Sequence, residues 1–553
     1  MKLNKGTVKP VIWGIEEEKL DDIDSFGVKR FSDFTWKHML DFYTCADCGR
    51  CADHCPATAV GRPLSPRFIS IKCRDYIFKK YSLLGKTAEN SKNLIGDIFT
   101  EDEIWSCTTC GACEAECPLM VEYIDKIVDL RRGMVDDGIV PQSLQKPLRA
   151  LEKRGNPYGK IENKRSDWTK EKGFSEKCKV KIIGKKEMAD ALYFVDSITS
   201  FDDRMHEIAR SAAGVLHAAG VDFGIWGSAE KDSGNEVRRF GEEMLFQKLK
   251  EQKTEAILSS GAKKIVTADP HAFNSLKNDY KNIPQVEHIS QVIARKIKAG
   301  AIRLNGVKDS AAVYTYHDPC YLGRHNGIYS EPRDVIDAIP GIRRVEMHKS
   351  RDRSFCCGGG GLMLFYEPVE EKRMGCLRVE MAKEAGATVI VTACPFCMAN
   401  IEDAIKTSGL EGKMEVIEAE VGDVNITKSE ILVSVGRWVE DKDNLEIVYD
   451  LAKAMGGDVA CSRPVVDAKW LEKSRQVGTS GKTVKPKVYM ALGISGSFQH
   501  QGGIKGAPFI VAINKNPKAP IFKVADVSVV ADMLDFVPKL TDKINSSRSQ
   551  LET

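Results

Sequence analysis

Cys45, Cys48, Cys51 and Cys55-Pro56 are answered by Cys107, Cys110, Cys113 and Cys117-Pro118, so the string C-x2-C-x2-C-x3-C-P occurs twice. These eight thiols constrain the fold more than any hydrophobic pattern does, because each triplet must wrap round one small object. Three thiolates at two-residue gaps enclose one iron–sulfur cube, and the fourth, followed by Pro, reaches across to the other. The expected ligand sets are Cys45, Cys48, Cys51 and Cys117 for one [4Fe–4S] cluster, and Cys107, Cys110, Cys113 and Cys55 for the second. Zinc knuckles present two C-x2-C pairs rather than a triplet plus C-P, and eight disulfide cysteines imply a secreted chain. The spacing predicts two cubanes and a chain that carries electrons.

At 553 residues the chain has room for about three to four domains, each with its own core. A net charge of +3 without a long basic run gives no reason to expect nucleic acid. No apolar run approaches the length of a membrane span, so no transmembrane segment is expected. The first residues, MKLNKGTVKPVIWGIEEEKL, lack the apolar core of a signal peptide. Seventeen cysteines without such a signal point to a reducing cytoplasm and to metal.

Residues 1 to about 30 read as an irregular leader, followed by a helix around Phe34–Tyr43. Residues 140–190 read as a connector with few core positions. An internal repeat comes next. Ile265-Val266-Thr267-Ala268-Asp269-Pro270-His271-Ala272 matches Ile390-Val391-Thr392-Ala393-Cys394-Pro395-Phe396-Cys397. The second copy runs Cys320, 35 residues, Cys356-Cys357, 36 residues, Cys394-x2-Cys397. In the first copy the corresponding places are Ser197, Asp232-Ser233 and Asp269-x2-Ala272, so the frame is kept and every cysteine is gone. Each apolar run before these strings is expected to be a buried parallel strand.

Cys320, Cys356, Cys357, Cys394 and Cys397, with Gly358–Gly361 directly after the Cys-Cys pair, resemble the CCG (cysteine-rich) domain of heterodisulfide-reductase-type proteins. That resemblance implies a third [4Fe–4S] cluster, noncubane in the best-known members. The first copy is expected to bind no cluster and to serve as scaffold. Cys73, Cys178, Cys376 and Cys461 fall outside these spacings and are read as plain thiols. Phe34-Thr35-Trp36-Lys37, Cys48-Gly49-Arg50-Cys51 and Pro63-Leu64-Ser65-Pro66 resemble the electron-transfer-flavoprotein:menaquinone oxidoreductase family.

Beyond residue 430, six strings in order resemble the FAD-binding domain of the electron transfer flavoprotein α-subunit. They are Cys461-Ser462-Arg463-Pro464, Arg475-Gln476-Val477-Gly478, Ser480-Gly481-Lys482-Thr483-Val484, Gly493 through His500, Ala512-Ile513-Asn514-Lys515 and Ala519-Pro520-Ile521-Phe522. The resemblance implies FAD. It places Arg463 over the isoalloxazine, His500 near the pyrimidine oxygen, and Ser480 at the flavin N5 beside Thr479. Ser462, Ser495 and Gln499 would cradle the pyrophosphate, with Gln476, Val477, Gly478 and Gly481 in the adjoining loop. Asn514 and Asp526 would hold the ribose or adenosine end.

The expected fold is multidomain. Residues 1–140 form a helical two-[4Fe–4S] ferredoxin-like domain, 141–190 a connector, 191–300 a degenerate CCG repeat and 301–405 an intact one, both α/β. Residues 406–430 form a linker, with a short strand at Met414–Glu420 as the alternative, 431–545 an α/β FAD-binding domain with a parallel sheet, and 546–553 a tail. The function these readings imply is a soluble electron-transfer subunit, an oxidoreductase component with FAD, a CCG cluster and two cubanes. Its expected partners are an electron transfer flavoprotein β-like subunit, a flavin-dependent dehydrogenase acting on an acyl-CoA or a 2-hydroxy acid, and a ferredoxin or a membrane quinone-reducing protein. The alternative is a heterodisulfide or thiol reductase with the CCG cluster as its centre.

Overall fold

A computed structural model describes residues 6–8, 25–80, 93–170, 174, 178, 180–184, 187–302, 304, 306, 311–366, 368–418, 426, 429–442, 444–468, 470–471, 475–479 and 481–551. The chain divides into two compact units, Met1–Val421 and Gly422–Thr553.

In the first unit the Thr35 hydroxyl accepts from His38 N and caps α1 (Trp36–Thr44), which ends at Cys45. Each cysteine triplet then closes on a four-residue helical turn, Arg50–Asp53 in the first and Ala112–Ala115 in the second. Gly49 and Gly111, at matching places, take φ of 84° and 77°, a conformation that favours glycine. Helix α2 (Pro66–Lys80) packs on α1. Phe31, Phe34, Phe42, Trp105 and Leu130 share one apolar core with Cys51, Cys55, Cys107 and Cys113.

Helix α3 (Tyr123–Asp136) carries two fully buried arginines. Arg132 donates to Asp129 at 2.7 Å and to Glu243 at 2.7 Å. Arg131 donates to the carbonyls of Cys107 (2.6 Å) and Arg239 (3.0 Å). Trp105 stacks on Phe240 at 4.6 Å. These contacts fasten the cysteine module to the segment around residues 235–243.

The stretch 140–190 is more than a connector. Helix α4 (Gln142–Arg154) buries Leu144, Pro147 and Leu151, Trp168 is 1 % exposed, and Lys181–Ile182 forms strand β1. Many lysines and arginines on the outer face of α4 mask an apolar stripe at helical spacing.

Strands β2 (Ala191–Tyr193), β3 (Phe223–Ile225), β4 (Lys264–Thr267) and β5 (Gln285–His288) join β1 in a parallel sheet of order β1-β3-β2-β4-β5. Strands β6 (Val313–His317), β7 (Arg343–Val345), β8 (Val389–Thr392) and β9 (Glu415–Glu418) form a second, of order β7-β6-β8-β9. Apart from β1 the two sheets have the same order. Helices α5 (Pro270–Asn278) and α6 (Pro395–Thr407) start directly after β4 and β8.

The expected linker therefore needs correcting: α6 runs through Thr407 and β9 pairs with β8 through Glu418. Residues 415–418 belong to the second sheet, while 419–425 and 427–428 lie outside the described residues.

In the second unit β10 (Ile431–Val435), β11 (Asp458–Cys461), β12 (Val488–Leu492), β13 (Ile510–Asn514) and β14 (Val527–Val530) make a parallel sheet of order β11-β10-β12-β13-β14. Helix α7 (Leu445–Met455) ends at Gly456, which takes the left-handed C-cap conformation. Helix α8 (Phe498–Ile504) follows β12. Helix α9 (Met533–Leu551) runs past residue 545, so the expected tail continues a helix. No helix among the described residues is long and apolar enough to cross a membrane.

Candidate functional site

Two small cavities of similar size lie in the cysteine module. The first is lined by Cys45, Cys48, Cys51 and Cys117, with Tyr123 and Arg67 beside them. The second is lined by Cys55, Cys107, Cys110 and Cys113 with Ile124 and Ile127. Each triplet thus meets the C-P cysteine of the other motif. Backbone N–H groups already point at the sulfurs: Thr109 N donates to Cys107 at 3.3 Å and Val121 N to Cys117 at 3.4 Å. Burial pushes the thiols of Cys51 and Cys55 up to about 11 and that of Cys107 to about 12. Iron takes thiolates, and a bound cation reverses the balance that burial sets against them. Four convergent sulfurs in an otherwise apolar cavity fit an iron–sulfur cube.

The five cysteines of the second sheet lie at the carboxyl ends of its strands, where the strand order reverses between β6 and β8. Cys320 follows β6, Cys394 is the N-cap of α6, Cys397 sits in its first turn, and the Cys356–Cys357 pair lies in the segment after β7. All five are buried. Cys357 and Cys397 sulfurs are 3.2 Å apart. Cys356 packs in one buried cluster with Cys320 and with Cys110, which belongs to the second cysteine motif. Thr108, also from that motif, places its hydroxyl 3.6 Å from the Cys356 sulfur. Gly360 permits this approach, since a Cβ there would stand 2.7 Å from the Thr108 carbonyl oxygen.

Two buried donors face this group. His317 Nδ1 accepts from Arg378 Nε at 3.0 Å, and its Nε2 has no partner among the described residues. His317, Cys357 and Cys397 lie within 4.8 Å of one another. Arg324 donates to the Cys110 carbonyl at 2.8 Å, while its Nη2 is buried without a partner among the described residues. Five thiols together with two orphaned donors fit a bulky anionic iron–sulfur group.

The first sheet holds no such set of thiols at its corresponding places. The Asp269 carboxylate caps α5 by accepting from His271 N at 2.7 Å. Asp196 accepts from Ser197 N and Ser233 N, and Lys253 donates to the Asp232 carbonyl. Arg165 reaches Glu230 at 2.9 Å and Ser197 at 3.3 Å. Buried charge fills the space that sulfurs occupy in the other sheet. Ala272 is buried in the apolar core beneath it.

In the second unit the strand order, numbered within the sheet, is 2-1-3-4-5, which directs a ligand to the carboxyl ends beside β10 and β12. Ser462 follows β11, buried, at the start of a helical turn. Val477 N donates to the Cys461 carbonyl, and Thr479 N to the Gln499 carbonyl, so the loop holding Gln476, Gly478 and Gly481 packs on α8. A Cβ on Gly503 would lie 2.4 Å from Gly478 N. His500 Nε2 meets Tyr489 Oη at 2.8 Å, and burial lowers its imidazole to about 4. Its Nδ1, close to Val477, makes no well-formed hydrogen bond among the described residues. Ser495 and Gln499 are exposed beside it. Arg463 is exposed and 3.5 Å from Asp467. A glycine-lined mouth with an exposed arginine and a buried histidine fits a flavin dinucleotide.

Three of the expected flavin residues depart from this picture. Ser480 lies outside the described residues. Asn514 spends its amide on Ile494 O (3.0 Å) and Asn516 N (2.9 Å), and so shapes the loop after β13. Asp526 sits at the opposite end of the sheet, where its carboxylate accepts from Ile510 N at 2.8 Å, at the start of β13. The aspartate at the carboxyl ends is Asp532, which no motif in the sequence singles out. It follows β14, accepts from Leu534 N at 3.0 Å, and pairs with Lys515 at 3.2 Å.

Comparison with known proteins adds three family matches: a 4Fe-4S dicluster domain over residues 44–121, a cysteine-rich domain over 314–402, and an electron transfer flavoprotein FAD-binding domain over 425–505. The chain is 36 % identical over 442 residues to a probable iron-sulfur-binding oxidoreductase, FadF, of Bacillus subtilis, covering 72 % of this chain and 62 % of that protein. It is 32 % identical to an EtfAB:quinone oxidoreductase of Syntrophomonas wolfei, covering 72 % and 60 %. It is also 32 % identical to one subunit of the dihydromethanophenazine:CoB--CoM heterodisulfide reductase of Methanosarcina barkeri, covering 66 % of this chain and 89 % of that relative. The chain thus spans about three fifths of the first two relatives.

Proposed function

We propose, for a chain that belongs to the heterodisulfide-reductase family of iron–sulfur oxidoreductases, that it is an electron-transfer subunit whose three kinds of site form a relay. The observation that carries this reading is the meeting of two ligand sets in the first unit. Cys110 of the second cubane set and Cys356 of the CCG set share one buried cluster, with the Thr108 hydroxyl 3.6 Å from the Cys356 sulfur. When bound, the clusters supply one-electron steps, and the flavin exchanges electrons singly or in pairs. In this reading Cys45, Cys48, Cys51 and Cys117 hold one cubane, and Cys55, Cys107, Cys110 and Cys113 the other. Cys320, Cys356, Cys357, Cys394 and Cys397 hold a third cluster.

The two sheets of like order are then a duplicated CCG domain whose first copy has traded its cluster for buried charge. Arg131 and Arg132 dock the ferredoxin-like module on that copy, and Gly360 lets the intact motif touch it. Arg463, Ser462, Gln499 and His500 hold FAD at the mouth of the C-terminal sheet, with Asp532 replacing Asp526 among them.

A flavin-dependent dehydrogenase acting on an acyl-CoA or a 2-hydroxy acid, together with an electron transfer flavoprotein β-like subunit, would stand at one end of the relay. A ferredoxin or quinone-reducing partner would stand at the other. Seventeen cysteines outside any disulfide suit a reducing compartment such as the cytoplasm. Anaerobic reconstitution with iron, sulfide and FAD tests the reading. It predicts about twelve irons, four for each of three clusters, and one flavin per chain. About eight irons would remove the CCG cluster from it.

One observation favours the second reading, a thiol or disulfide reductase. A cavity opens on Cys357 and is lined by Arg62, Met363, Tyr366, Arg373 and Asn400. Turnover of a low-molecular-weight disulfide by the reduced chain alone, lost on mutating Arg62, would favour it over the relay.

A further inference from the structure

One imidazole distinguishes the copy that keeps its cysteines. His317 ends β6 three residues before Cys320, and three residues before the corresponding Ser197 the other copy has Phe194. Phe194 is fully buried in an apolar core. His317 is 1 % exposed, yet a buried imidazole needs a partner on each nitrogen. An apolar ring serves where the sulfurs are missing, and a polar one stands where they are present.

Among the described residues only one of its nitrogens has a partner. Arg378, on the helix Met374–Glu384, donates from Nε to His317 Nδ1 at 3.0 Å. A guanidinium offers no lone pair, so Nδ1 is the acceptor and the ring proton sits on Nε2. Arg378 is itself held in place. Its Nη1 donates to the Lys349 carbonyl at 2.7 Å, and its Nη2 reaches Ser354 Oγ at 3.5 Å. The Nε2–H is buried and finds no acceptor among the described residues.

Sulfur is the acceptor at hand. An imidazole nitrogen of His317 and the sulfurs of Cys357 and Cys397 lie within 4.8 Å of one another, and the two sulfurs are 3.2 Å apart. With Nδ1 taken by Arg378, Nε2 is the nitrogen available to them. The same tautomer rules out ligation, because a ring whose Nδ1 lone pair accepts from Arg378 and whose Nε2 carries the proton has no lone pair left for iron.

We infer that His317, its tautomer set by Arg378, is an outer partner of the CCG centre: it donates Nε2–H to sulfur on the Cys357–Cys397 side and raises the reduction potential of the cluster held there. This rests on the CCG-cluster reading above. A hydrogen bond to a ligand sulfur stabilises the more negative, reduced state of a cluster, and partners of this kind commonly tune metal centres.

The test uses the reconstituted full chain, with iron analysis, a redox titration followed by electron paramagnetic resonance, and pulsed resonance on protein carrying isotopically labelled histidine nitrogen. His317→Phe installs the ring of the other copy and removes the donor, whereas His317→Gln keeps an amide N–H. The inference expects wild-type iron in both. It expects a lower CCG midpoint in His317→Phe by a tenfold change in the oxidised-to-reduced ratio, about 59 mV for one electron. The midpoint of His317→Gln should fall between that value and the wild type. In the wild type a weak histidine-nitrogen coupling to the CCG centre is expected, and both variants should lose it. If only His317→Phe loses iron, the wild-type coupling and its loss in His317→Gln decide. A strong coupling of the kind a directly bound nitrogen gives, no coupling, or one that survives in the variants would overturn the inference. So would iron loss in both variants, or an unchanged midpoint in His317→Phe with full iron. Each of these leaves the cluster reading intact, whereas wild-type iron near eight would overturn both.

Discussion

Replacing Arg132 with methionine should destabilise the first unit by about 3–5 kcal/mol, the range for removing one partner of a buried ion pair. The structure says where that cost arises. Arg132, Asp129 and Glu243 are each at most 1 % exposed in their side chains. Glu243 loses its 2.7 Å contact but retains Arg238 at 3.2 Å and Gln247 at 2.6 Å. Asp129 fares worse. Its other close partner is His38 at 3.6 Å, whose imidazole burial lowers to about 3, so that it is neutral at pH 7.

Burial already raises the Asp129 carboxyl to about 7 despite Arg132. Without the guanidinium it rises further, and the folded state of the variant takes up a proton that its unfolded state does not. The deficit should therefore be largest at alkaline pH and shrink as pH falls to about 7, below which the wild-type folded state carries the same proton. Asp129→Asn in the Arg132→Met background should recover most of the loss, because the lone charge is then gone. Urea unfolding of the four proteins of this double-mutant cycle provides the measurement, read as a midpoint shift at constant slope. A loss within about 0.5 kcal/mol for Arg132→Met, the usual effect of a surface change, would refute the argument that this triad fastens the cysteine module to the cysteine-free sheet.

Other perturbations reach the remaining sites. Cys117→Ser should abolish the signal of the cluster assigned to Cys45, Cys48 and Cys51 while sparing the one nearer in sequence; spectra of the reduced variant decide this, and loss of the other signal would reverse the assignment. His500 is held at about 4 by burial against an ordinary 6.5, so the flavin-free C-terminal unit should lose stability as pH falls from 6.5 toward 4. The shift amounts to about 3 kcal/mol, and His500→Gln should flatten that slope in denaturant titrations. Gly360→Ala places a methyl 2.7 Å from the Thr108 carbonyl and should cost about 1–3 kcal/mol by overpacking; an unchanged unfolding midpoint would show that the two loops are not pressed together.

What the sequence revealed followed from local spacing. The cysteine triplets enclose a site within seven residues, and the repeated apolar runs became β4 and β8 because a buried parallel strand reads as continuous hydrophobicity. Two of the second unit's strings, those starting at Cys461 and Gly493, begin where β11 and β12 stop, which puts them at the carboxyl ends of one sheet. The errors arose where the fold joins distant parts. His271 stacks on Phe396 only because two repeats pack together, and nothing in the string around His271 announces that. Asp526 and Asp532 both follow an alanine in the same short stretch, yet the four residues of β14 separate them and carry them to opposite ends of the sheet. Strand β9, Glu415–Glu418, is two charged residues round Val-Ile, too short and too polar to be told from a linker.

The relay stands or falls on the contact between Cys110 and Cys356. Electron paramagnetic resonance of the fully reduced, reconstituted chain, compared with its Cys356→Ala variant, tests it most directly. The account predicts a wild-type spectrum broadened by magnetic coupling between the CCG centre and the cubane of Cys55, Cys107, Cys110 and Cys113, reverting in the variant to narrow, independent cubane signals. A wild-type spectrum that is already the sum of isolated centres would contradict it.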